Sequence, residues 1–219
     1  MGRGGSWAER ALVILLICAG SAARAGPEHV ERAVPLDSFE SNTSAERWAL
    51  EVQPRIGAHG YLIVSDLAPG PVRESESHLY VAYRGAVGSG FRVALREPMR
   101  VRGFVRELSV YVFGYDRADQ LWIEISDQTG QVHRLGLGRL DFGGWRRLTA
   151  VVPPAVRQQP PHVLSPDSGI LLRGFQVEPV ASSAGSPCLF YLDQLEALTT
   201  PYLRLPPGPW MPGGRSTDG

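Results

Sequence analysis

The segment from Leu108 to Val152 constrains the fold more than any other, because its apolar residues recur at every second position. This is the side-chain period of a pleated strand and not of a helix. The polar residues Asp127 to Gly130 then suit a hairpin turn, since Gly accepts a positive φ. The segment therefore predicts a meander of four antiparallel strands. The alternating positions are Leu108, Val110 and Val112 in one run and Leu121, Ile123 and Ile125 in another.

Runs on both sides of this segment predict further strands, whereas no run of ten or more residues after the N-terminal apolar stretch has helical periodicity. About ten short strands separated by turns predict an all-β fold, an antiparallel β-sandwich. We expect a jelly roll like that of galactose-binding and carbohydrate-binding modules, with an immunoglobulin-like sandwich as the alternative. The predicted strands are Val34–Glu40, Trp48–Gln53, Tyr61–Val64, Leu79–Arg84, Phe91–Leu95, Ile170–Glu178 and Cys188–Leu198.

The two ends of the 219-residue chain differ from its middle. Residues 1–25 combine arginines, a short apolar run and the sequence Ala23-Arg24-Ala25, which predicts a secretory signal peptide. The apolar run is shorter than the roughly 20 residues that span a bilayer, so we expect no membrane span. Residues 201–219 are rich in Pro and Gly and predict a tail. One sandwich domain is expected over residues 26–200.

Charge and cysteine content exclude some partners and bonds. The formal net charge is zero and the basic residues, all arginines, are dispersed, so no stripe for nucleic acid is expected. Once the signal peptide is removed, Cys188 is the remaining cysteine, and an intrachain disulfide cannot form. Its apolar surroundings favour a small buried side chain over a reactive thiol.

No motif for catalysis or cofactor binding is found. The five histidines are isolated, no serine lies in G-x-S-x-G, and Gly136 and Gly138 lack the strand-to-helix context of a dinucleotide site. His133, on a predicted strand, favours a solvated or partly buried side chain over a base. A glycoside hydrolase would need two carboxylates facing one cleft, and nothing here indicates them. We therefore expect no catalytic residues, no cofactor and no enzyme activity.

Three carboxylates suggest one metal hypothesis. Asp37 and Glu40 lie at the first predicted strand and Asp193 lies in the last, and a jelly roll brings these strands together. Carboxylate oxygens so placed could hold a structural Ca²⁺. The simpler interpretation, which we favour, is hydrogen bonding or salt bridging at a strand end.

Large aromatic residues allow two interpretations. At alternating strand positions they favour the core, but exposed they would form a platform on which sugars stack. The residues concerned are Trp48, Tyr111, Phe113, Trp122 and Trp145.

An ordered set of motifs resembles the flagellar filament outer layer proteins of spirochetes, the FlaA family. LDSFE is followed at short range by Trp48, then by GYDRADQLWIEISDQTGQVHRLGLGRLDFGGWRRL, a Pro-Pro break with Arg157-Gln158, LLRGFQVEP and FYLDQLEALTTPY. The resemblance runs from Val34 to Tyr202, although the stretch from Pro54 to Ser77 and the Pro/Gly-rich tail match no family motif.

The resemblance implies a structural role with no catalytic residues. It implies a periplasmic protein of the flagellar sheath that contacts the flagellin core, other sheath proteins and its own copies, and so affects filament shape, stiffness and motility. Candidate partner-binding anchors are Trp122, Trp145 and Arg157, although we expect both tryptophans to be in the core. The alternative is a secreted carbohydrate-binding module.

Overall fold

The computed structural model describes residues 31–52, 58–85, 90–158, 169–180 and 187–200. The predicted signal peptide and tail lie outside the described residues. Within them the chain is almost entirely extended. Its elements are β1 (Arg32–Asp37), α1 (Asn42–Arg47), β2 (Trp48–Val52), β3 (His59–Ser65), β4 (His78–Arg84), β5 (Phe91–Arg102), β6 (Phe104–Tyr115), β7 (Gln120–Ser126), β8 (Val132–Arg139), β9 (Gly143–Val151), β10 (Gly169–Glu178) and β11 (Cys188–Thr200).

The strands form two antiparallel sheets, which confirms the predicted β-sandwich. Sheet A has the order β3-β4-β11-β6-β9, with β1 also paired to β11, and sheet B has the order β2-β5-β10-β7-β8. The predicted meander is wrong in one respect. Within the segment from Leu108 to Val152 only β7 and β8 form a hairpin, because the chain crosses from sheet A to sheet B after β6 and returns before β9, where β9 pairs with β6.

The core lies between the sheets and is filled by the alternating residues of the central strands. Val110 and Val112 of β6 face inward from sheet A, and Ile123 and Ile125 of β7 face inward from sheet B, all fully buried. Burying an aliphatic side chain of this kind stabilises the fold by about 1.5–3 kcal/mol. The hydrophobic effect on these two apolar faces therefore holds the sheets together.

Strand β11 is the longest and organises sheet A. Its first half pairs with β4 and its second half with β1, while β6 lies along its other side. A bulge occurs at Gln194, whose φ is 47°, so the alternation shifts by one residue. Leu192 and Leu195 both face the core, and Asp193 points to the opposite face of the sheet.

Candidate functional site

The outer face of sheet A carries a row of aromatic side chains that crosses all five strands of its main path. In the strand register, Ile63 pairs with Tyr80, Tyr80 with Tyr191, Tyr191 with Phe113, and Phe113 with Trp145. The row points away from the core, because the residues next to Tyr80, Phe113 and Tyr191 along the chain belong to it: Leu79, Val81, Val112, Phe190 and Leu192. With the two flanking tyrosines we name this surface the aromatic band, which comprises Tyr61, Ile63, Tyr80, Phe113, Tyr115, Trp145 and Tyr191.

The rings of the aromatic band pack against one another. Ring centroids lie 4.8 Å apart for Tyr80 and Tyr191, 5.8 Å for Tyr191 and Phe113, and 5.5 Å for Phe113 and Trp145. Burial, together with a hydrogen bond to Tyr115, raises the pKa of Tyr191 to about 12. The Tyr191 hydroxyl is therefore protonated at neutral pH and serves as a hydrogen-bonding group.

The loop between β3 and β4, residues 66–77, forms a rim at one side of the aromatic band. The indole Nε1 of Trp145 donates to the carbonyl oxygen of Pro69. The carbonyl oxygen of Ala68 lies 2.8 Å from Nε2 of His78, and since a carbonyl only accepts, Nε2 carries the hydrogen. These two contacts fix the loop against the sheet and fix the orientation of the Trp145 ring.

A buried polar group anchors the other end of the loop. The Ser75 hydroxyl donates to Oδ2 of Asp193, and Nδ1 of His78 lies 3.1 Å from the same oxygen. Oδ1 of Asp193 accepts from the backbone N–H of Gln194 at 2.7 Å. Burial raises the pKa of the Asp193 carboxyl above its usual value, although the hydrogen bonds from Ser75 and Gln194 and the interaction with His78 oppose this effect.

Ser75, His78 and Asp193 are the residue types of a hydrolase triad, but their arrangement is different. In such a triad, histidine bridges the serine and the carboxylate through its two ring nitrogens. Here both the serine and the histidine converge on one carboxylate oxygen, while Nε2 is taken by a backbone carbonyl. All three side chains are also buried. The geometry suits a structural anchor for the loop.

The carboxylates considered for calcium have protein donors as partners. Asp37 Oδ1 accepts from Phe39 N at 3.0 Å and from the Ser44 hydroxyl at 2.8 Å, and Oδ2 accepts from Trp48 Nε1 at 3.0 Å. Glu40 accepts from the backbone of residues 76 and 77. Among the described residues, no three His, Cys, Asp or Glu side chains are grouped to hold a metal. Calcium binding thus stays a prediction. The interpretation that we favoured, hydrogen bonding at a strand end, accounts for the contacts of Asp37 and Glu40.

The outer face of sheet B carries charged side chains where that of sheet A carries the aromatic band. Arg92 connects Glu51, at 2.7 Å, with the buried Glu124, at 2.8 Å from its Nε. Trp122 lies on the same face with the guanidinium of Arg134 6.0 Å from its ring centroid. Its Nε1 has no hydrogen-bond partner among the described residues.

The structure does not bring the three candidate anchors together. Trp145 lies in the aromatic band, Trp122 lies on the outer face of sheet B, and Arg157 is exposed in the turn after β9. The expectation that both tryptophans are in the core is wrong, because each faces outward from its sheet. Trp48 does lie in the core, stacked on Phe175 with centroids 5.5 Å apart.

Sequence reasoning missed the aromatic band and the loop anchor for different reasons. The alternation of β6 was visible, but nothing in it distinguished the core face from an aromatic outer face. The anchor joins residues 115 or more positions apart, for which a single sequence contains no spacing signal. His133, in contrast, behaves as expected, partly buried with Nε2 2.9 Å from Asp127.

No helix in the described part of the chain has the length and apolar character needed to cross a bilayer.

Comparison with solved structures bears on the fold. The chain is similar to a carbohydrate-binding module from the β-sandwich superfamily, with a TM-score of 0.51 and 13% identity over 75% of this chain and 61% of that one. A family 11 carbohydrate-binding module of a Clostridium thermocellum cellulosomal cellulase gives a TM-score of 0.46 and 12% identity, covering 80% of this chain and 98% of the module. The first likeness, with a TM-score above 0.5 and 13% identity, shows the sandwich fold alone.

Comparison of sequences identifies the family. A flagellar filament outer layer-like protein of Brachyspira hyodysenteriae is 29% identical over 113 residues, which cover 52% of this chain and 52% of the relative. The match thus spans about half the length of that curated relative. The model of the family described as flagellar filament outer layer protein FlaA matches residues 83–203, from the end of β4 through β11. Because this is more than half of the 219 residues, the chain belongs to the flagellar filament outer layer protein family, FlaA.

Proposed function

We propose that this protein is a structural component of the sheath around the periplasmic flagellar filament. It coats the flagellin core together with other sheath proteins and contributes to filament shape, stiffness and motility. The observation that carries the proposal is the extent of the family match. Residues 83–203 include β6 and β11 of sheet A and β5, β7 and β10 of sheet B, so the match covers the centre of the sandwich and not a local motif.

The unequal faces of the sandwich support a role in a surface layer. A coat subunit has to contact its neighbours with some surfaces and water with others. Here one outer face carries the aromatic band, and the other carries the ion pairs of Arg92 with Glu51 and Glu124. Protein interfaces depend on a few aromatic and arginine anchors at their centre. Faces and loops, rather than a catalytic pocket, would then make the contacts.

Two candidate anchors lie on or beside the β7–β8 hairpin, toward different ends of β7. Arg157 is exposed in a turn whose backbone carbonyl accepts from the N–H of Gln128, in the β7–β8 connection. Trp122 lies on β7 of the same hairpin, half-buried on the outer face of sheet B. We therefore expect the sheath contact on the side of the molecule that carries the β7–β8 hairpin. The protein would act there without catalysis, after export to the periplasm by its signal peptide.

Purification of periplasmic flagella from the organism that encodes the protein tests the proposal. We expect the wild-type protein in the filament fraction after washing in high salt. Trp122→Ala and Arg157→Ala should lower the bound fraction, because each removes an anchor from one surface. Val151→Ala, an exposed apolar position on β9 of sheet A, is the matched control and should bind as the wild type does. A protein that stays in the soluble periplasmic fraction would refute the sheath role.

Carbohydrate binding is a second candidate function. The solved structure to which this fold is similar is described as a carbohydrate-binding module. The specific observation in its favour is the aromatic band, since exposed rings on a sheet face are a surface on which sugar rings stack.

A further inference from the structure

The sheath contact proposed above is on the side of the β7–β8 hairpin, whereas the aromatic band lies on the other sheet. Tyr61 exposes 54% of its side chain, and Ile63 and Tyr115 expose 44% each. Soluble proteins seldom leave a contiguous apolar patch of this kind open unless it binds something. We propose that the aromatic band binds a neutral oligosaccharide that lies across the strands of sheet A. This inference rests on the second candidate function, for which it names the site and the ligand class.

The chemistry of the band fits a saccharide better than a purely apolar partner. Four of its seven residues are tyrosines, so each of these rings carries a hydroxyl beside its apolar face. The hydroxyls are held in place, because Tyr61 hydrogen-bonds Tyr80 and Tyr115 hydrogen-bonds Tyr191. A pyranose ring has the matching character, with an apolar face of C–H groups and a rim of hydroxyls. A sugar that stacks on these rings can therefore also form hydrogen bonds with the tyrosine hydroxyls.

The charge of the band indicates that the ligand is neutral. Its seven members include no ionisable acid or base other than the tyrosines, and burial raises the pKa of Tyr80 and Tyr191. Arg147 and Glu196, which lie beside it on the same face, form an ion pair at 2.8 Å. A carboxylated or sulfated sugar would therefore find no cationic side chain among the seven members of the band. The uncharged hydroxyls of a neutral sugar can form hydrogen bonds with the tyrosines of the band.

The length of the band indicates an oligosaccharide and not a single sugar. The row from Ile63 to Trp145 crosses five strands, and neighbouring strands lie about 4.8 Å apart, so it extends over roughly 19 Å. A monosaccharide would cover a small part of that distance. Tyr191 itself is buried, but the partly exposed rings on either side of it can each contribute a stacking contact, so affinity should rise with the number of sugar units.

The rim beside the band makes the site rigid before a ligand arrives. Trp145 is fixed by its hydrogen bond to Pro69, and the loop that carries Pro69 is anchored through Ser75 and His78 to Asp193. A pre-organised surface loses little conformational entropy on binding, so more of the contact energy appears as affinity. This is the arrangement expected for recognition of a small ligand with many weak contacts.

Titration calorimetry of the full chain with cellohexaose, xylohexaose, maltohexaose and chitohexaose tests the inference, with the corresponding monosaccharides and a sulfated oligosaccharide as comparisons. The test variant is the double substitution Tyr61→Ala and Tyr115→Ala, at the two most exposed rings. The pair Tyr61→Phe and Tyr115→Phe keeps the rings and removes the hydroxyls. Trp122→Ala is the matched control, because it removes an aromatic ring from the other sheet. Thermal melts confirm that each variant is folded.

We expect the wild type to bind at least one neutral hexasaccharide and to bind the monosaccharide and the sulfated sugar more weakly. Each lost ring should weaken binding about tenfold. The phenylalanine pair should lose less, and Trp122→Ala should bind as the wild type does. If the alanine pair binds a hexasaccharide as tightly as the wild type, carbohydrate binding stands and the proposed site is wrong. If the wild type binds none of the sugars, the site and the second candidate function both fail.

Discussion

Replacement of Asp37 by alanine should destabilise the protein by an amount that the structure allows us to work out. The carboxylate accepts three hydrogen bonds, from Phe39 N, Ser44 Oγ and Trp48 Nε1, at 2.8–3.0 Å. Two of these donors belong to fully buried residues, and Phe39 has a φ of 58°, which a side chain seldom adopts without support. Leaving a buried donor without an acceptor costs about 1–3 kcal/mol. The expected loss for Asp37→Ala is therefore about 3–5 kcal/mol.

The conservative variant Asp37→Asn separates these contacts. Its amide oxygen can still accept from Phe39 and Ser44, but its NH₂ group would face the indole N–H of Trp48. We expect a cost of about 1–3 kcal/mol, which should largely disappear when Trp48→Phe removes the indole donor. Urea unfolding followed by circular dichroism measures the wild type, Asp37→Ala, and the cycle formed by Asp37→Asn, Trp48→Phe and their combination. A cost below about 1 kcal/mol for Asp37→Ala, or an unchanged cost of Asp37→Asn in the Trp48→Phe background, would refute the reasoning.

The same assay decides the calcium hypothesis. Since protein donors already occupy both oxygens of Asp37, we expect EDTA to leave the unfolding midpoint of the wild type unchanged. A midpoint that falls with EDTA and recovers with added Ca²⁺ would show a bound metal, because a ligand of the folded state stabilises it by mass action.

Three further predictions concern buried polar groups. Burial raises the pKa of the Asp127 carboxyl, but hydrogen bonds from Thr129, His133 and Gln131 outweigh this effect and hold it well below its usual range. The stability that Asp127 contributes is therefore present above about pH 4 and lost as the pH falls further, and urea midpoints should decline more steeply below about pH 4 for the wild type than for Asp127→Asn. Gln158→Ala should cost about 2–4 kcal/mol in the same assay, because this side chain pairs with a buried backbone N–H and C=O of β6 at 2.7 and 2.8 Å, and a loss below about 1 kcal/mol would contradict this. Burial, with the neighbouring Asp119, raises the pKa of the Cys188 thiol, so iodoacetamide should label it in denaturant but not in the folded protein, and rapid native labelling would contradict this.

The strands were predictable from sequence because alternation is a local property. The predicted strand at Leu79–Arg84 is observed as His78–Arg84, and that at Cys188–Leu198 as Cys188–Thr200. The bounds of these two strands differ by at most two residues, since hydrophobic period and turn residues both act over short distances, whereas the strand predicted at Phe91–Leu95 continues to Arg102. The helix α1 was missed because six residues are too few to show a helical period.

The topology and the site were less predictable because they depend on contacts between distant segments. The four strands between Leu108 and Val152 read as a meander, yet the chain changes sheets twice within them. Alternation indicates that a strand has two faces, but it does not show which face packs against the other sheet. On β6 the outward residues Tyr111 and Phe113 are as large and apolar as the inward ones, so only the paired sheet reveals the aromatic band.

The sheath role is tested most directly by the diameter of intact periplasmic flagella, measured by cryo-electron microscopy in the wild type and in a strain that lacks this protein. The account predicts that the deletion strain has thinner filaments, or filaments with gaps in the outer layer, and that reintroducing the wild-type chain restores the layer. Filaments of unchanged diameter and unchanged outer layer in the deletion strain would contradict it.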